Sequence, residues 1–253
     1  MAKTQKPKFP TEIVPLPSKG KYYPEGNPLA SGEVEVKYMT AREEDILTSQ
    51  NLIKQGKVID VLLESLVQGD INMDDMLVGD KNAVMIAARV LGYGKEYTFE
   101  LEDPATGEKE EHTLDLTTLE HKETDFDGKD YTFTLPHSKR IVGWKFATQG
   151  DENIITEELK ALRKITKKSG IESEVTTRLK RVITSIDGDE SVGAVNNFVN
   201  NEFLSRDSRE FRDYLMSVTP DVDLNIIIDF ASGEEVDTTV PMTVEFFWPK
   251  TRK

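Results

Sequence analysis

The sequence predicts an α+β fold: two helical stretches, each followed by antiparallel β-hairpins, behind an extended Pro-rich N-terminal arm. Three observations carry this. Six of the eleven prolines (Pro7, Pro10, Pro15, Pro17, Pro24 and Pro28) fall within the first 32 residues, where fixed φ angles and missing donors disfavour a helix or a central strand. Apolar residues recur at helical spacing over 40–92 and again over 151–218. After each of those stretches, over 96–147 and 222–249, the pattern shortens to alternating runs punctuated by Gly and Pro. Strands grouped after helices, instead of alternating with them, give a segregated α+β arrangement. The expected division is an arm, 1–37, and a single body, 38–253.

Each element has its own warrant. Phe9, Ile13, Val14, Leu16, Tyr22 and Tyr23 make the arm too apolar for a free linker. It is expected to lie against a surface, its own body or a neighbour's, with the first ten residues free. Val34, Val36 and Tyr38 alternate with Glu33, Glu35 and Lys37, as a strand does. Thr40 and Glu43 have capping-box spacing, and Glu43, Glu44 and Asp45 suit the positive first turn of a helix. Ile59, Leu62, Leu63 and Leu66 follow at 0, +3, +4 and +7, the spacing of an amphipathic helix. Asp80 is expected to cap a helix through Ala83, Val84, Ala87, Ala88 and Leu91, apolar almost all round and stopped by Gly92 and Gly94.

Tyr97 and Phe99 open a hairpin that turns at DPATGEKEE and returns through His112 to Leu116. Residues 120–130 form an acidic surface loop, and YTFTL (131–135) and IVGWKFA (141–147) are strands. Four helices are then expected. Asp151 caps one bearing Ile155, Leu159 and Leu162; Leu179, Val182, Ile183 and Ile186 mark the next. Val192, Val195, Val199 and Phe203 mark a third, and Phe211, Tyr214, Leu215 and Val218 a fourth that Pro220 stops. LNIIIDF, VDTTV and TVEFFWP close the chain as strands, the apolar run Ile226–Ile228 being expected in a central position.

With 253 residues the chain can bury a core without staples. It has no cysteine, which excludes disulfides, thiolate metal sites and cysteine catalysis. MAKTQKPKFP lacks the apolar segment of a secretory signal, and no run reaches the ~18–20 apolar residues of a spanning helix. A soluble protein of intracellular origin is expected. The net charge is −14, yet residues 1–23 carry five lysines against Glu12, and Lys250, Arg252 and Lys253 add three positive charges. The body between is left at −21, which disfavours duplex DNA and anionic membranes. The basic ends either clamp an acidic neighbour or are solvated tails.

No catalytic constellation emerges. His112, His121 and His137 lack ligand spacing. Gly92-Tyr93-Gly94-Lys95 follows a helix instead of preceding one, so it is no phosphate loop. Asp187-Gly188-Asp189 opens like a calcium loop but has Val192 and Phe198 where that loop needs Gly and Glu. No nucleophile elbow occurs. Neither catalytic, cofactor nor metal residues are assigned. Arg206, Arg209 and Arg212, interleaved with Asp207, Glu210 and Asp213, are either an ion-pair interface or a self-neutralising solvated face.

The ordered set LPSKGKYYPEG (16–26), YMTAREEDILTSQNLIKQGKVIDVLLESL (38–66), VGDKNAVMIAARVLGYGKEY (78–97), LPHSKR (135–140), SRDSREFRDYL (205–215) and EFFWP (245–249) resembles the baseplate hub subunit or hub assembly protein family of T-even-like contractile-tailed bacteriophages. The resemblance implies a non-enzymatic structural component of the baseplate hub, or alternatively a hub assembly chaperone absent from the mature virion. Its implied partners are other baseplate and tail proteins, with a symmetric ring of its own copies as a further contact, and neither nucleic acid nor membrane. It implies location in the virion after assembly in the host cytoplasm. Candidate interface residues are Lys19, Lys21, Tyr22 and Tyr23 with Arg206, Arg209 and Arg212. The family also implies cysteine knuckles, able to hold zinc, at turns corresponding to Phe99–Glu108 and Phe230–Glu235. Here these read FELEDPATGE and FASGEE, without cysteine. The paired hairpins are carried over and the metal is not; if the hairpins meet, apolar contacts and hydrogen bonds must join them.

Overall fold

The computed structural model describes residues 9–165, 173–242 and 244–248. Lys3, Lys6 and Lys8 at one basic end, and Lys250, Arg252 and Lys253 at the other, lie outside them. In chain order the elements are β1 (Thr11–Pro15), β2 (Glu33–Lys37), α1 (Ala41–Leu47), α2 (Gln50–Gln55), α3 (Val58–Leu66), α4 (Val78–Tyr93), β3 (Glu96–Glu102), β4 (Lys109–Asp115), β5 (Thr132–Thr134) and β6 (Ile141–Trp144). There follow α5 (Gln149–Ile165), α6 (Glu174–Val182), β7 (Ile183–Ile186), α7 (Val192–Asn197), α8 (Ser205–Val218), β8 (Asn225–Asp229) and β9 (Glu235–Thr239). Every strand pairing is antiparallel, and among the described residues no sheet exceeds three strands. This is the expected α+β class. Two compact units result, one of Met1–Ile71, Asn82–Lys122 and Asp221–Lys253, the other of Asn72–Lys81 and Glu123–Pro220.

In the first unit, β1 pairs with β2 in a ribbon whose buried face carries Val14, Val34 and Val36. The proline-rich segment thus packs on its own chain from Thr11 onward. The connection between these strands doubles back so tightly that a Cβ on Gly32 would lie 2.8 Å from the Lys19 carbonyl carbon, and one on Gly20 would meet the Ala30 carbonyl. Both glycines have positive φ, which other residues adopt only with strain.

The capping-box spacing at Thr40 leads to a larger structure than a cap. Glu43 is fully buried, and its carboxylate accepts from the Thr40 N–H at 2.8 Å, the Thr40 hydroxyl at 2.6 Å, Ser65 Oγ at 2.7 Å and Lys37 Nζ at 2.8 Å. One side chain therefore joins β2, α1 and α3. Val58, Leu62, Leu63 and Leu66 bury the inner face of α3, with Ile59 half-buried beside them.

Helix α4 starts at Val78, so Asp80 lies inside its first turn and does not precede it. Asp80 is fully buried, and the expectation that it caps the helix from outside is corrected accordingly. The helix also carries a buried cation, Arg89, on a face read as apolar. Its Nε donates to Phe246 O at 2.9 Å, Nη1 to Gly94 O at 2.9 Å and Nη2 to Glu96 O at 3.0 Å. Its guanidinium lies over the Tyr93 ring at 5.5 Å. Burial pulls the Arg89 pKa down from its ordinary value, and the carbonyl dipoles replace lost water.

Arg89 also explains why the chain end is not a strand. Val244–Phe247 is a turn of 3-10 helix, and Phe246 and Phe247 are both fully buried. A strand would send those neighbours to opposite faces. Tyr97 packs edge-on against Phe246 at 4.8 Å and donates through its hydroxyl to Pro241 O at 2.7 Å.

Strands β3–β4 and β8–β9 form two hairpins, and they meet. The Glu110 carboxylate accepts from the Ala231 N–H at 3.1 Å, and the His112 ring stands edge-on to Phe230 at 5.1 Å. Hydrogen bonds and aromatic packing thus join the turns that lack cysteine. The expected central position of Ile226–Ile228 is not observed: β8 pairs with β9 alone, and Ile227 is 65% exposed.

In the second unit β6 is the middle strand of a sheet ordered β5-β6-β7. The helix expected through Ile186 ends at Val182, and Ile183–Ile186 is β7. Its apolar residues have helical spacing, but β-branched Ile-Thr pairs better on the open edge of β6. Asp187, with φ 50°, and Gly188, with φ 87°, then reverse the chain. Trp144 sits among Phe126, Tyr131, Phe146 and Tyr214, with ring centroids 5.1–5.6 Å away. Phe133 adds Phe211 and Tyr214 of α8 to this cluster.

Two tests follow from the first unit. Leu62→Asp is expected to lower the melting temperature sharply, since it loses roughly 2–5 kcal/mol of packing and leaves a charge without partners; an unchanged melting curve would refute the assigned face of α3. The second concerns acid. Burial raises the Glu43 pKa, but bonds from Lys37, Ser65 and Thr40 outweigh it and hold it at about 2, against an ordinary 4.5. A depressed folded-state pKa adds stability that is complete above 4.5 and disappears as pH falls through about 2. Urea titrations of wild type and Glu43→Gln should therefore differ most near neutrality, and the gap should shrink by up to ~3 kcal/mol towards pH 2.

Candidate functional site

The buried ionisable groups Glu43, Arg89 and Asp207 accept from or donate to neighbouring elements and so hold the fold. No group of three or more His, Cys, Asp or Glu is placed to hold a metal among the described residues. His112 is packed between Phe99 and Phe230 on the hairpins, whereas His121 forms a β-bridge with Val222. His137 belongs to the other unit, where its backbone N–H donates to Asp207.

Shifted carboxylates tell the same story. The pKa values of Asp115, Asp187 and Asp207 are all lowered, which keeps these groups ionised as hydrogen-bond acceptors. Asp221 is raised by burial, partly offset by Asn82 Nδ2 at 3.0 Å and the Val222 N–H at 2.7 Å. Those bonds occupy it in joining α4 to the segment before β8. No helix of the described residues is long and apolar enough to cross a membrane.

The candidate interface residues lie in two places. Lys19, Lys21, Tyr22 and Tyr23 belong to the connection between β1 and β2 in the first unit. Both lysines are exposed, both tyrosines half-buried, and Lys19 takes φ 52°. Arg206, Arg209 and Arg212 are exposed on α8 in the second unit.

The structure separates the three acids interleaved with these arginines. Asp207 points inward, fully buried, and accepts from the His137 N–H at 2.8 Å and the Ser138 N–H at 2.9 Å. It cannot neutralise the outer side of α8. Arg209 and Asp213 are 3.8 Å apart, both largely exposed, a pairing worth ~0–1 kcal/mol. Arg212 donates to its own helix at Ser208 O, 3.3 Å away. Arg209, Arg212 and Met216 stand at 0, +3 and +7, and Met216 is 65% exposed. The outward side of α8 therefore carries Arg206, Arg209 and Arg212 together with the exposed acids Glu210 and Asp213, and ends at the exposed Met216.

The three-residue spacing grouped Asp207 with the exposed arginines, whereas the structure buries it. Its signal was only the three-residue period shared with Glu210 and Asp213, and nothing in that period distinguishes a buried acid from an exposed one.

Compared with known proteins, a family model described as T4 bacteriophage base plate protein matches residues 9–248. No curated protein matches, and no solved structure does.

Asp207→Ala is expected to cost about 1–3 kcal/mol in urea denaturation, because two N–H donors lose their acceptor. Arg206→Ala, an exposed change on the same helix, should stay within about 0.5 kcal/mol. Equal effects would contradict the division between inner and outer sides of α8.

Proposed function

The chain belongs to the T4 bacteriophage base plate protein family, and from that premise we propose that it is a non-enzymatic structural component of the hub region of a contractile-tail baseplate. Membership makes it a structural protein of the virion tail baseplate that interacts with other phage tail proteins. The observation that carries the reading is the extent of the match, residues 9–248, which takes in both compact units. Placement in the hub is supported by the ordered strings from LPSKGKYYPEG to EFFWP.

Absence of catalysis is supported by the way the carboxylates and histidines are used. Asp207, Glu43 and Asp221 each accept from neighbouring elements, and His112 is enclosed by aromatic rings. In this reading Lys19, Lys21, Tyr22 and Tyr23 form one subunit contact, and Arg206, Arg209 and Arg212 another. Both would receive acidic surfaces, including those of neighbouring copies in a ring. Neither nucleic acid nor membrane is a partner, and assembly takes place in the host cytoplasm before incorporation.

Mass spectrometry of purified virions tests this. The expected result is stoichiometric presence with baseplate proteins; absence from particles that need the protein for assembly would identify a hub chaperone instead. Reversing charge at Arg206, Arg209 and Arg212 to Glu should leave the melting temperature within a few degrees of wild type, since all three are exposed. The same variant should fail to enter baseplates in a complementation assay. Normal incorporation would remove α8 from the interface.

A further inference from the structure

Among the described residues, strand β1 has an open edge. The Tyr38 N–H donates to Pro10 O at 3.1 Å and the Leu16 N–H to Gly32 O at 2.9 Å. Even-numbered residues of β1 therefore turn their backbone groups towards β2, and Thr11, Ile13 and Pro15 turn theirs away. The corresponding outer side of β2 is covered, since Glu35 O accepts from the Gln68 N–H at 2.8 Å and Val36 bridges Val67. Among the described residues no backbone group pairs with the outward N–H of Thr11 or Ile13. Exposed edges are usually blunted by charge, proline or a covering segment. Here Pro15 blunts one end only.

Beyond this edge lies an apolar cleft of about 260 Å³. Its floor is α4, through Ala83, Ile86, Ala87 and Val90, and Leu116 and Leu119 line it further along the chain. Ile13, 56% exposed, also lines it. The cleft is smaller than the ~300–1,000 Å³ usual for small-molecule sites and suits anchoring side chains. We propose that the β1 edge takes an extended segment of another baseplate protein as an added strand, with apolar side chains entering the cleft and Lys or Arg alternating between them.

Three features select that occupant. Outward N–H and C=O groups at every second residue are complementary to another strand and to no other regular backbone. Side chains of an added strand alternate between faces, so one set meets the apolar cleft while the other lies on the face of Glu33 and Glu35. Glu12 lines the cleft, Glu120 sits between two lining residues, and the unit's sequence carries a net charge of −10. A second copy of this chain fits worse. Antiparallel β1 against β1 would set Thr11 opposite Pro15, which has no N–H, and would bring two acidic units together. The inference rests on the family's partners being proteins, but not on placement in the hub.

The test uses the full chain at physiological salt with two synthetic heptapeptides, one alternating lysine with valine and one alternating glutamate with valine. Fluorescence anisotropy should show the lysine peptide binding at least about tenfold more tightly. Hydrogen exchange should show it slowing the Thr11 and Ile13 amides. Ile13→Pro removes an outward donor together with a lining side chain, and Ala87→Phe fills the floor. Each variant that keeps the wild-type melting curve should lose about tenfold or more in affinity. Equal binding of both peptides, binding without amide protection, or no binding would overturn the proposal. Self-association in analytical ultracentrifugation that Ile13→Pro abolishes would overturn it too, by giving the edge to a second copy. Virion composition is read independently, so failure here leaves the baseplate assignment standing.

Discussion

A charge taken out of water must be matched at its hydrogen-bonding atoms by neighbouring groups, and this chain uses that demand to fix its tertiary structure. Its sheets are small, none above three strands among the described residues, and two-stranded hairpins are marginal without support. Glu43 supplies support in the first unit by drawing β2, α1 and α3 onto one carboxylate. Arg89 does so with opposite sign, gathering carbonyls from the end of α4, the start of β3 and the chain's last aromatic turn. Asp207 does the same in the second unit, where the first turn of α8 holds the connection between β5 and β6. Apolar burial drives collapse in each unit, while these groups select one arrangement of the elements.

Five of the six strings that carry the family resemblance contain these contacts. VGDKNAVMIAARVLGYGKEY contains Arg89 and meets EFFWP at the Phe246 carbonyl. LPHSKR offers two N–H groups to the aspartate of SRDSREFRDYL. The long string from Tyr38 to Leu66 contains Thr40, Glu43 and Ser65 together. Within each unit, interlocked polar contacts supply rigidity that small sheets do not. On the proposed reading the outer surface is left for partners: the arginines of α8, the lysines between β1 and β2, and the edge of β1.

Much of the architecture was legible because local chemistry and tertiary demand agree there. The capping-box spacing at Thr40, the heptad-like face of α3, the hairpin begun at Tyr97 and the helix closed by Pro220 all have unambiguous periodicity and stops. Misreadings occurred where a local signal had two solutions. Ile183 and Ile186 have helical spacing, and the free edge of β6 nonetheless took the segment as a strand. Phe246 and Phe247 look like strand residues until Arg89 takes the intervening carbonyl.

The sequence by itself determined the α+β class, the lack of cysteine chemistry, the acidic body and the family. These depend on composition, period and ordered strings, all of which are properties of neighbours along the chain. Tertiary structure alone decided which charges are buried and which strand edge, among the described residues, stays open. Those outcomes depend on groups far apart in sequence, such as Arg89 and Phe246 or Asp207 and His137. No local pattern can specify a hydrogen bond whose partner lies 157 residues away.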